Sequence, residues 1–196
     1  MPYFTIFRVL FIIVFTICAR RNTAQQEKVM EEFWNKELRA NNVRKQDISQ
    51  MHYIKLPVEE LLAHINHPLE DALRALSEEP ILNLTGISNT DLKLQYGVAN
   101  LETLSQYDTN FATLVTTLAD YSKLLLEKDM VEDAKKVLKY GVSIDADSIY
   151  IYTTLASLYE ETGDTDSIME LISSAEHLKS ISKASILEKL ERYNLA

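Results

Sequence analysis

Laid over itself so that Tyr121 falls on Leu155, the C-terminal half of the sequence matches one stretch with another. At this 34-residue offset Ser122 and Leu125 fall on Ala156 and Tyr159, and Ala134, Leu138 and Gly141 fall on Ile168, Ile172 and Ala175. Each copy has a large residue, a small one beside it, and a second large one four positions after the first. Two tightly crossing helices need that pattern: the small residue lets the backbones approach while the large ones interlock. Few breakers interrupt it. Only 4 Gly and 4 Pro occur in 196 residues, 46% of which are hydrophobic. Strands joined by tight turns would need more of both. The sequence therefore predicts an all-α fold built from stacked helical pairs.

This spacing resembles the tetratricopeptide repeat family, a helix–turn–helix unit with the sequence W-x2-L-G-x2-Y…A-x3-F…P. In the first copy the matching positions are Leu118, Tyr121, Ser122, Leu125, Ala134, Leu138 and Gly141. In the second they are Tyr152, Leu155, Ala156, Tyr159, Ile168, Ile172 and Ala175. Ala146 and Ser180 stand where the family has proline, and Ile168 replaces a small residue. The resemblance covers about residues 115–182, as repeats 115–148 and 149–182, and no convincing third copy precedes them. Two such repeats rarely bury enough surface to stand alone. A capping helix is expected from near Ser182, with Ile186, Leu187, Leu190 and Tyr193 along one face. The irregular helical region 58–110 is expected to cover the other end.

The resemblance implies a partner-binding groove formed by the first helix of each repeat. Mapped here, its residues are Thr116, Ala119, Lys123, Tyr150, Thr153, Ser157 and Glu160. Relatives that clamp a terminal carboxylate place Asn, Lys and Arg at such positions. Here Ala119, Thr153 and Ser157 occupy them and Lys123 is the one cation, so a clamp of that kind is not expected. Tyr150, large and cheap to order, is the expected anchor. The alternative is a groove with no partner of its own.

The second constraining stretch is PYFTIFRVLFIIVFTICA, residues 2–19, closed by Arg20 and Arg21. As a helix it would be roughly 27 Å long, close to the hydrocarbon thickness of a bilayer. Arg8 lies near enough to its start to snorkel to the headgroups. The reading adopted is an uncleaved anchor over residues 1–21. The rivals are a cleaved signal peptide, disfavoured by the lack of a prompt A-x-A-like site, and a buried globular segment. Arg20, Arg21 and Lys28 on the C-terminal flank outweigh Arg8 and the amino terminus, which favours a cytoplasmic body over an extracytoplasmic one.

Residues 22–57 then form a juxtamembrane amphipathic helix and linker. Val29, Met30, Phe33, Trp34 and Leu38 recur at helical spacing, and Asn41 and Asn42 suit the helix end. This face is expected to pack on the following domain, the alternative being Trp34 resting among headgroups. Two short helices, about 58–65 and 68–78, flank the His67–Pro68 break. Ser88 and Asp91 have capping-box spacing ahead of a helix stopped by Gly97. Asn100 is expected to cap a short helix, and Asn110 a longer one from Phe111 to about Lys128.

Chemistry is scarce. The lone Cys18 excludes an internal disulfide framework. Glu60, His64 and His67 are the nearest approach to a metal set, but Pro68 disfavours the unbroken helix that would gather them. Asn83-Leu84-Thr85 is a glycosylation sequon, meaningful only on a lumenal face. No phosphate loop, nucleophile elbow or glycine-rich nucleotide turn is present, and adjacent acids such as Glu160 and Glu161 read as a solvated face. Residues 1–60 carry nine Lys/Arg against seven Asp/Glu, and residues 61–196 eleven against twenty-two. So acidic a body repels nucleic acid. The expectation is a non-catalytic, membrane-anchored module binding a protein or peptide partner, without cofactor, metal or nucleic acid. The alternative is a structural subunit that self-associates as a homo-oligomer or joins a larger membrane complex.

Overall fold

The computed structural model describes residues 2–194, and within them the regular structure is helical, with no strand. The helices are α1 (Pro2–Asn41), α2 (Val58–Leu61), α3 (Pro68–Ser77), α4 (Asn89–Tyr96), α5 (Leu101–Glu127), α6 (Val131–Ser143), α7 (Ile149–Glu160), α8 (Thr165–Glu176) and α9 (Lys183–Asn194). The chain divides into two compact units. One comprises Met1–Asp47 with Ser88–Leu101, the other Ile48–Ile87 with Glu102–Ala196.

In the first unit the C-terminal end of α1 packs on α4. Ala40 is fully buried there. Lys36 pairs with Asp91 at 2.6 Å, and the Glu37 carboxylate accepts from Thr90 Oγ1 at 2.7 Å and pairs with the Lys93 ammonium. These hydrogen bonds, the Lys93 one foremost, hold the Glu37 carboxyl below its ordinary range. The start of α4 is capped as its sequence predicts. Ser88 Oγ accepts from Asp91 N at 3.2 Å and donates to Asp91 Oδ2 at 2.6 Å. Gly97 ends the helix at φ +85°, where a Cβ would run into the Arg44 carbonyl. Asn100 is buried rather than an exposed cap, and its amide donates to Gln46 O at 2.8 Å and Tyr96 O at 2.7 Å.

The anchor and the juxtamembrane helix, expected as separate elements, form one continuous helix, α1. Among the described residues, no helix is long and apolar enough to cross a membrane. The side chains of most apolar residues in the expected anchor, including Phe4, Ile6, Val9, Leu10, Ile12, Ile13, Val14 and Ile17, lie outside the described residues. The face bearing Val29, Met30, Phe33, Trp34 and Leu38 was expected to be covered; all five are at least half exposed. The face of α1 that is buried lies further along, at Ala40 beside Lys36 and Glu37.

In the second unit, Leu73, Ile81, Phe111, Leu114, Leu118, Tyr121, Leu125 and Val137 form one buried cluster. Ile151, Tyr152, Leu155, Ala156, Ile168, Leu171, Ala175, Ile186 and Leu190 form another. Val115, Leu126 and Ile144 pack against both. Thirteen of the fourteen positions matched at the 34-residue offset are buried, and the fourteenth, Ile172, is half-buried. Where α6 approaches α7, a Cβ on Gly141 would lie 3.0 Å from Ile151 Cδ1. The C-terminal helix α9 buries Ile186 and Leu190 and packs on both α7 and α8.

Two sequence expectations fail here for local reasons. Asn110 does not begin a helix: α5 runs through it, and its amide instead donates to Pro80 O at 2.9 Å. The helix expected over 58–65 stops at Leu61, because the buried Glu70 carboxylate takes the amides of Ile65 at 3.0 Å and Asn66 at 3.1 Å. His64 and Asn66 turn that loop with positive φ, and His67 Nδ1 accepts from Leu69 N to cap α3 behind Pro68.

Candidate functional site

The seven groove positions lie on α5 and α7, and all remain at least partly accessible. Thr116, Lys123 and Glu160 are exposed; Ala119, Tyr150, Thr153 and Ser157 are half-buried. Two of the hydroxyls are already engaged, Thr116 with Ala112 O at 3.0 Å and Thr153 with Ile149 O at 2.8 Å. Each of these bonds stays within its own helix. Ala119 and Tyr150 each pack against the same core cluster. Tyr150 is therefore in part a core residue. The accessible charge of the set is Lys123 with Glu160.

A concavity that was not legible in the sequence lies elsewhere in the same unit. It is a cleft of about 530 Å³ where four stretches meet: His52–Lys55, the loop from Asn83 to Ile87, the end of α6 with its following turn, and the end of α8 with its following turn. None of the seven groove positions lines it. Tertiary ties fix its walls. Tyr140 OH donates to Lys55 O at 3.1 Å, and burial pushes that phenol up to about 12. Asn83 Nδ2 donates to Ile144 O at 3.2 Å and Asp145 O at 3.4 Å, so the sequon's own amide nitrogen is committed to the fold. Gly86 sits so close to Lys179 that a Cβ there would lie 2.9 Å from Lys179 Cβ. No sequence signal foretold these ties, the longest of which, Gly86 to Lys179, joins residues 93 apart.

The three residues weighed as a metal set are not brought together on one helix. α2 ends before His64, so Glu60, His64 and His67 share no helix, and among the described residues no three His, Cys, Asp or Glu side chains are grouped to hold a metal ion. His177 Nδ1 lies 2.8 Å from Ser173 O at the end of α8, a helix-terminal contact. Among the described residues Glu70 is the most deeply buried carboxylate, and its oxygens are engaged by Tyr121 OH at 2.7 Å and the two loop amides. Burial alone would raise its pKa, but these hydrogen bonds outweigh it and hold the carboxyl below the ordinary Glu range. Such a group ties a loop to α5.

No protein-family model matches this chain, and no curated protein or solved structure matches it either.

Proposed function

We propose that this chain is a non-catalytic interaction module of the tetratricopeptide type, held at a membrane by residues 2–19, that binds a protein or peptide partner on the face formed by α5 and α7. The observation that carries the reading is the 34-residue offset. Ser122 and Ala156, the small residues at equivalent places, are both fully buried, while the next residues, Lys123 and Ser157, remain accessible. That alternation separates framework from a solvent-facing surface on the same helices, as stacked helical repeats do. Arg20 and Arg21 favour a cytoplasmic body by the positive-inside rule.

The reading is tested by affinity capture of the full chain from native membranes, beside a Lys123→Glu, Glu160→Lys double variant. The partner recovered with the wild type is expected to be lost from the variant, whose melting temperature is unchanged. Equal recovery by both proteins would remove the groove from consideration.

One observation favours a second reading, a structural subunit that pairs with copies of itself. Phe11 and Phe15 precede Val29 and Phe33 by about five helical turns, which sets all four on one face of α1. Each of the four is half or more exposed. Self-association of the full chain that is lost on Phe33→Glu would support this reading; a monomer at all concentrations would remove it.

A further inference from the structure

We propose that the cleft at the C-terminal ends of α6 and α8 is a second docking site, separate from the α5–α7 face. It takes an extended peptide segment with an apolar residue between a basic and an acidic one. The cleft is preformed: Tyr140 to Lys55 and Asn83 to the end of α6 fix its walls, so a ligand meets little ordering cost. Its volume of about 530 Å³ falls in the range of ligand-binding pockets.

Chemistry then selects the ligand. Leu178, buried, and Ile54 and Ile144, half-buried, supply an apolar floor. The lining also carries four charges: Lys55, Lys179 and Asp145, which are exposed, and Asp147, which is half-buried. None of the four forms an ion pair among the described residues. A ligand of one sign would be attracted by part of this lining and repelled by the rest. A segment with both signs, spaced by an apolar side chain, is complementary to all of it. Ile87, on the lining, is 40% exposed, and Ile181, next along from Ser180, is fully exposed. An exposed branched side chain on the lining, that of Ile87, suits a peptide better than a free zwitterion.

The test is an amide-resolved NMR titration of the full chain in detergent micelles. The probes are acetylated, amidated Lys-Leu-Asp and Asp-Leu-Lys, with Gln-Leu-Asn and free glycine as controls. At least one charged peptide should shift the Ile87, Asp147 and Lys179 amides saturably, with a Kd on the order of 1 mM or tighter. The uncharged peptide should bind about tenfold more weakly, and Lys179→Glu or Asp147→Asn should weaken the charged one by about as much. Lys123→Glu, outside the cleft lining, should leave this peptide titration unchanged, so failure of the α5–α7 groove and failure of the cleft are told apart. No saturable shift with either charged peptide, or equal binding by Gln-Leu-Asn or glycine, would overturn the proposal.

Discussion

The hydroxyl of Tyr121 donates a 2.7 Å hydrogen bond to Glu70 Oε1, 51 residues away in the chain, and accepts one from Ala63 N at 2.9 Å. Both side chains are almost completely buried. One phenol thus ties the α2–α3 loop to α5. Tyr121→Phe keeps the ring but leaves the Ala63 amide without its acceptor and Glu70 short of a donor. It is expected to cost about 2 kcal/mol in chemical denaturation.

The same carboxylate sets an acid limit. Its folded pKa lies below the ordinary value of 4.5. Its contribution to stability is therefore complete above that value and is lost as pH falls from there through the folded pKa. Denaturation midpoints measured downward from pH 5 should fall in the wild type and fall less steeply in Glu70→Gln. Parallel curves would contradict the assignment.

Alkali acts through the phenols. Burial pushes Tyr121, Tyr140 and Tyr152 up to about 12 from an ordinary 10.0. The folded state therefore holds protons that the unfolded chain has released, and stability must fall as pH rises through 10 towards 12. Absorbance of phenolate followed against pH should show these rings titrating together with loss of helix, behind the other tyrosines.

Two glycines with positive φ separate strain from collision. At Gly163, φ is +68° and an added Cβ would meet nothing within 4 Å. Gly163→Ala is therefore expected to cost about 1 kcal/mol from backbone strain alone. At Gly97 an added Cβ would also collide with the Arg44 backbone. There a loss on the order of 3 kcal/mol is expected. Equal losses in thermal unfolding would refute the packing described around Arg44.

Ser88→Ala removes the side-chain acceptor for the Asp91 amide at the start of α4. It should cost about 1 kcal/mol. Hydrogen exchange is the direct reading: amides of α4 should lose protection while those of α7 keep theirs.

What could be read in advance was what neighbours in sequence decide. Ser88, Asp91 and Gly97 bound α4 as their spacing predicts, and His67–Pro68 opens α3. The small-beside-large pattern at 122 and 156 marked buried positions correctly. Asn110 misled because a capping residue type carries no sign of where its amide will turn; here it serves Pro80, 30 residues earlier, and α5 continues past it. The end of α2 was hidden for a similar reason, since the carboxylate that takes the following amides sits on α3. Tyr150 was readable as a surface aromatic by register, but not its packing against the second core cluster. The cleft was least legible, its four stretches being drawn from residues 52 to 180.

The repeat register is the centre of this account, and one set of melting curves tests it. Ser122→Leu and Ala156→Leu force extra methylenes into fully buried, equivalent places. Each should cost about 1–3 kcal/mol. For a chain of this length that lowers Tm by about 2–4 °C per kcal/mol. Lys123→Leu and Ser157→Leu, one residue further along each helix, should leave Tm nearly unchanged. If the second pair lowered Tm as far as the first, or if Ser122→Leu and Ala156→Leu behaved differently from each other, the 34-residue register would be wrong and the binding face assigned from it would be lost.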